Sequence, residues 1–165
     1  MTNNFNKITC CFTGHRPNKM NYMENEIKPH LKNAINTAID NGYTFFITGM
    51  AEGVDIWAAE TLLDYKKTFK NIKLICAVPY PGFHKNRSIA EINRYKNILN
   101  NADYVKWINS HYFRGCYQVR NKWMVDLSTL VIAVYNGQKS GTKNTVEYAQ
   151  QKGIKVINLI NENQI

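Results

Sequence analysis

The sequence predicts one α/β domain, built on a doubly wound, mostly parallel sheet of about six strands with helices on both faces. Three observations lead to this reading. Six short apolar runs alternate with stretches of helical periodicity. Most of the runs are almost continuously hydrophobic, as in parallel strands buried on both faces. The length of 165 residues suits one domain of the common ~100–150-residue size better than two, so residues 1–165 are read as a single unit.

The strands fall at residues 8–13, 43–48, 73–78, 104–107, 130–135 and 155–160. Between the first two, Ile27, Leu31, Ala34, Ile35 and Ala38 form an amphipathic stripe that ends at the helix-capping pair Asn41-Gly42. A second helix starts near Gly53 and carries Val54, Ala58, Leu62 and Tyr65. A third covers about 88–100, with Ile89, Ile92, Tyr95 and Leu99 on one side. The fourth, 117–127, carries Val119, Trp123, Met124 and Leu127, and the fifth, about 142–152, stops at Gly153. Repeated strand–helix alternation means βαβ units joined by right-handed crossovers. The strand order expected from this is 3-2-1-4-5-6.

Composition narrows the class without naming a function. Hydrophobic residues make up 44% of the chain, enough for a core and against disorder. No apolar run approaches the ~20 residues of a membrane span, and residues 1–7 are polar without a signal-peptide core. A cytoplasmic protein with no membrane partner is expected. Cys10, Cys11 and Cys76 lie in strand-like runs and read as reduced core thiols. Cys116 lies in a polar stretch and is the one thiol expected to react. No CxxC pair or metal-ligand spacing occurs, so neither a metal nor a cofactor is expected. The formal charge of +9 favours an anionic partner. Its basic residues are dispersed, and the one tight group, Lys66, Lys67, Lys70 and Lys73, reads as a solvated face near a helix end.

In open parallel sheets, ligands bind beyond the carboxyl ends of the strands. The turns there carry the chemistry. After the first strand comes Thr13-Gly14-His15-Arg16-Pro17, where glycine permits close approach and His15 and Arg16 offer polar or cationic groups. After the second comes Thr48-Gly49-Met50-Ala51-Glu52-Gly53-Val54-Asp55, in which Gly49 and Gly53 would expose helix amides to an anion. Asp55 reads first as a helix cap and second as a ribose ligand. After the fifth comes a helix start at Ser140, Gly141 and Thr142, with Thr145 one turn on. Arg120, on the helix before the fifth strand, is as consistent with a surface residue as with a site residue. No GxGxxG follows the first strand and no Walker motif is present.

Taken together, these turns resemble the SLOG superfamily, which unites DprA/Smf proteins with LOG phosphoribohydrolases, and within it the YpsA-like branch. The resemblance runs through the 13–17 and 49–55 turns, the segment from Arg120 through Met124 to Val134, Ser140-Gly141-Thr142, and Glu147-Tyr148-Ala149. It implies a Rossmann-like fold that binds a nucleotide-like small molecule at the glycine-rich edge, as a sensor or sequestering protein. The alternative is a LOG-like N-glycosidase acting on nucleoside monophosphates or nucleotide-derived signals, with Arg120 as catalytic clamp. That family's acidic position falls on Thr145 here, and its Pro-Gly-Gly run is absent. Glu147 lies about 200° further round a helix and should point elsewhere. A third reading, a DprA-like single-strand binder, draws on the net charge and on Tyr80, Phe83, Tyr112 and Phe113, which more often pack loops. A homo-oligomer is expected.

Overall fold

Strand and helix alternate throughout residues 8–160, the part of the chain that the computed structural model describes. The polar segment 1–7 lies outside the described residues. The order is β1 (Thr9–Gly14), a 3-10 turn (Pro17–Lys19), α1 (Glu24–Asp40), β2 (Phe45–Thr48), α2 (Val54–Thr68), β3 (Lys73–Val78) and α3 (Ile89–Asn101). Then follow β4 (Tyr104–Trp107), α4 (Cys116–Asp126), β5 (Leu130–Val134), α5 (Gly141–Gln151) and β6 (Lys155–Asn158). Each predicted element is present, with its ends moved by at most a few residues.

The period-two geometry of the strands divides the core into two layers. Cys10, Phe12, Phe46, Leu74, Ile132 and Val134 face α1, α2 and α3. Cys11, Ile47, Ile75, Ala77 and Val131 face α4 and α5. The α1 stripe performs as its spacing demands: Ile27, Leu31 and Ile35 are at most 1% exposed. Burying each contributes about 1.5–3 kcal/mol of transfer free energy.

All six strands are parallel, but the sheet order is β4-β3-β2-β1-β5-β6, not 3-2-1-4-5-6. The reason is the face on which α3 packs. It shares the α1–α2 layer through Tyr95 and Ile98, and a right-handed crossover on that face carries the chain further outward. The path therefore reverses after four strands instead of three, and α4 returns under the sheet to place β5 beside β1. The topological switch lies between β1 and β5, with Gly14 paired to Val134 at their carboxyl ends.

The outer strand β4 also departs from the buried pattern. Its four residues are all exposed, Tyr104 by 57% and Trp107 by 46%. The lysine group is only partly a solvated face: Lys66 (2.5 Å) and Lys73 (3.4 Å) both reach Asp103, whose carboxylate also accepts the Leu74 amide. All four cysteines are buried free thiols, Cys116 included. It opens α4 and is fully enclosed despite its polar neighbours in sequence. Among the described residues, no helix is long and apolar enough to cross a membrane.

Gly14 closes β1 directly against α2. A Cβ there would lie 2.4 Å from Cγ2 of Val54, a core residue 1% exposed. Gly14→Ala is expected to lower stability by about 1–3 kcal/mol through overpacking, measured by urea denaturation. An unchanged midpoint would show that Val54 can move aside.

Candidate functional site

The β1/β5 switch opens into a cleft of about 350 Å³, within the ~300–1,000 Å³ range of small-molecule sites. β1 supplies its floor through Phe12, Thr13 and Gly14. The turn after β1 brings His15, Arg16 and Lys19, the α2 turn brings Asp55, α4 brings Tyr117 and Arg120, and α5 brings Ser140, Gly141 and Thr142. Among the described residues, three cationic side chains thus line it against the single carboxylate of Asp55.

The wall between β2 and α2 is built from a tightly tied turn. The Thr48 hydroxyl donates to the Asp55 carbonyl (2.9 Å) and accepts the Met50 amide (3.3 Å). The Ala51 amide donates to Asp55 Oδ2 at 3.1 Å. Two arginines grip consecutive carbonyls: Arg120 Nη1 donates to Gly49 O, and Arg87 Nη2 donates to Met50 O at 2.6 Å. Met50 is held at φ 62°, a left-handed conformation that costs a non-glycine residue of order 1–3 kcal/mol. At Gly49 no side chain fits, since a Cβ would stand 2.8 Å from Asp55 Oδ2 and 2.9 Å from Arg120 Cζ.

Arg120 is 5% exposed, which settles against its being a surface residue. Its Nε donates to Asn121 Oδ1 at 2.8 Å. Burial pulls its pKa down and the charge of Asp55 opposes the shift; a guanidinium so placed still keeps its proton. Burial pushes the Asp55 carboxyl up, and the Arg120 charge and the Ala51 amide pull it back. Asp55 is not the cap of α2. Gly53 occupies that position, and the carboxylate turns back into the preceding loop. The amides of Met50 and Ala51 are committed within the turn.

The opposite wall is the start of α5. Ser140 caps it, its Oγ accepting the Lys143 amide at 3.2 Å. That leaves the Gly141 and Thr142 amides without a partner among the described residues, as the geometry of a helix start requires. They lie at the positive end of the helix dipole. A Cβ on Gly141 would meet only Gln118 Nε2, at 3.7 Å. Thr145 lies off the cleft, its hydroxyl donating back to Gly141 O at 2.9 Å. Gly53 (φ 92°) packs on Pro17 outside the cleft as well. Glu147 is exposed and lies 3.6 Å from Lys143, facing away as its helical position predicts.

His15 is 3% exposed and packs on Tyr135, with ring centroids 5.6 Å apart. Its Nε2 accepts the Asn136 amide at 3.3 Å, which places the proton of the neutral ring on Nδ1. Burial lowers its pKa, against the Asn136 contact, and the Lys19 charge lowers it further. Lys19, Tyr117, Gln118 and Asn121 also line the cleft, and none stands out in the sequence because each sits in an ordinary polar stretch. Arg87 escapes sequence reasoning for the same reason. Tyr80, Phe83, Tyr112 and Tyr117 form one cluster of rings 5.5–6.2 Å apart beside the cleft. The Tyr80 hydroxyl pairs with that of Tyr117 at 3.2 Å, and this contact raises the Tyr80 pKa to about 12.

Residues 10–163 match the family described as the YspA SLOG family. A UPF0398 protein of Bacillus cereus (strain G9842) is 27% identical over 150 residues, spanning 86% of this chain and 82% of the relative. Among solved structures, DNA processing protein A of Streptococcus pneumoniae superposes with a TM-score of 0.62 at 18% identity, over 90% of this chain and 48% of that one. The same protein from Helicobacter pylori, described for its single-stranded DNA binding mode, gives 0.63 at 22% identity over 90% and 63%. The chain spans about half the length of the first and less than two thirds of the second. At these identities the likeness is one of fold.

The depressed pKa of His15 has a measurable consequence. Because the unfolded ring titrates near 6.5, the stability tied to neutral His15 is whole above that pH and is lost as pH falls through the lower folded value. Thermal midpoints of the wild type should therefore drop between about pH 7.5 and 5, and His15→Gln should flatten part of that drop. His84, also lowered by burial, contributes in the same direction. Parallel curves for the two proteins would remove His15 as an acid-sensitive group.

Proposed function

The chain belongs to the YspA SLOG family, and we propose that it binds a nucleotide-like, phosphate-bearing small molecule in the β1/β5 cleft, as a sensor or sequestering protein. One observation carries this reading. At the switch point, two uncommitted amides at the start of α5 share a cleft with Arg16, Lys19 and Arg120. Free helix amides and cations together favour a phosphate. Arg120 is fixed by its bonds to Gly49 and Asn121, so little side-chain entropy remains to be lost on binding.

A second reading is supported by Asp55. It is the sole carboxylate lining the cleft among the described residues, whereas Glu60 is tied to Arg94 and Lys28 elsewhere. Cleaving an N-glycosidic bond builds positive charge on the ribose, which a carboxylate can stabilise while activating water. In that chemistry Asp55 would take the role that Thr145, bonded back to its own helix, does not fill. Arg120 would hold the phosphate or the developing anionic group. Burial raises the Asp55 pKa, while the Arg120 charge and the Ala51 amide act in favour of the carboxylate form.

Gly141→Val should abolish calorimetric binding of AMP while leaving the thermal midpoint unchanged, since its branches enter the cleft and not the core. Retained affinity would move the phosphate away from α5. A bound mononucleotide should weaken only gently with salt. A single-strand ligand would instead lose affinity with a slope of about −0.7 per phosphate neutralised, and tight, steep binding of a generic oligonucleotide would replace the small-molecule reading.

Incubation of the wild type with AMP should release little or no free base and ribose 5-phosphate by chromatography. Rapid release that falls ~10²–10⁴-fold in Asp55→Asn, the usual scale for a positioned acid–base group, would establish the N-glycosidase reading in its place. The carboxamide introduced by that substitution keeps an oxygen for the Ala51 amide but removes the charge facing Arg120, so a thermal midpoint measured beside the assay separates loss of fold from loss of catalysis.

A further inference from the structure

The aromatic cluster beside the cleft has more order than loop packing needs. Tyr117 belongs to both: it lines the cleft, lies 6.0 Å from Arg16 Cζ, and contacts Tyr80, Phe83 and Tyr112. Phe83 in turn lies 5.8 Å below Arg120 Cζ and 4.7 Å from Arg87 Cζ. The rings therefore run without a break from the buried arginine, past the cleft-lining Tyr117, to the exposed loop before α4. At the outer end, Tyr112 touches Tyr80 and Tyr117 yet remains 59% exposed, and Phe113 beside it is 39% exposed. The loop that carries them is fixed at both ends. Asn109 Nδ2 donates to Pro79 O at 3.0 Å, and Gly115 turns the chain into α4 with φ 97°.

Leaving two large rings in water forgoes the free energy of burying them, while supporting them from behind fixes their orientation. A ring held in this way loses little entropy when a flat molecule lies on it. We propose that Tyr112, backed by Tyr80 and Tyr117, is the stacking surface for a planar heteroaromatic ring of the ligand. The site would then select a phosphate joined to a nucleobase over a sugar phosphate alone. This rests on the reading of the cleft as a phosphate site and adds the second point of recognition. Stacking is tolerant of base identity because every base presents a π-face, so selection falls on the presence of the ring and not on its edge pattern.

The test compares AMP with ribose 5-phosphate on the full chain by calorimetry, in the wild type, Tyr112→Ala and Tyr112→Phe. The wild type should prefer AMP. Tyr112→Ala should weaken AMP roughly tenfold, the scale of one base–aromatic stack, and leave ribose 5-phosphate unchanged; Tyr112→Phe should restore AMP binding. Equal affinity of the wild type for both ligands would overturn this proposal and leave the phosphate site standing. Equal weakening of both by Tyr112→Ala would also overturn it, by reducing Tyr112 to a structural role. Failure of both ligands to bind would bring down both readings. Loss confined to an oligonucleotide, with AMP unaffected, would overturn the mononucleotide stack in favour of a strand-binding surface.

Discussion

The site depends on the backbone of Gly49 passing between two buried charged groups. Asp55 and Arg120 are 7% and 5% exposed, and removing such groups from water is tolerated only when their hydrogen-bonding capacity is met inside. Here the backbone meets much of it. Arg120 donates to the Gly49 carbonyl, and Asp55 accepts the Ala51 amide. The carboxyl end of β2, the first turn of α2 and the middle of α4 are thereby locked to one another around a position that admits no side chain. Arg87 adds a second clasp on the next carbonyl and holds Met50 in its left-handed conformation. The rigidity of this wall lets the opposite wall, the open start of α5, be the receptive one.

Much of this architecture is legible in the sequence because it rests on local rules. Continuous apolar runs mark the buried strands, the 27–38 stripe marks the face of α1, and the turns after β1 and β5 mark the edge where the cleft opens. Gly14, His15, Arg16, Asp55, Arg120, Ser140, Gly141 and Thr142 do converge on one cleft. The helical argument that turns Glu147 away from it also holds. What local rules cannot supply is the choice of face for α3, since an amphipathic stripe specifies that a helix packs, not on which side of a sheet. That single choice sets the strand order.

Burial is the other gap. Nothing in the polar neighbourhood of Arg120 or Cys116 says that both will be enclosed, because the groups around them come from distant parts of the chain, Gly49 being 71 positions from Arg120. The distance of Asp55 from the helix start suggests a cap, but its carboxylate serves the loop before the helix. Residue types at a turn can be read locally, while their partners depend on how two turns distant in the chain close upon each other.

The exposed outer strand bears on how the molecule behaves in company. β4 presents Tyr104, Val105, Lys106 and Trp107 on an edge whose outward amides and carbonyls have no strand beside them among the described residues. Such an edge is a template for pairing between molecules, which proteins discourage by keeping the strand short and placing a charge on it. Four residues and one lysine meet both conditions. The overall charge of +9 repels other copies only within a screening distance of about 8 Å at physiological ionic strength. Where salt screens the summed charge, the guard on this edge is the single ammonium group of Lys106, standing in the middle of an otherwise adhesive border.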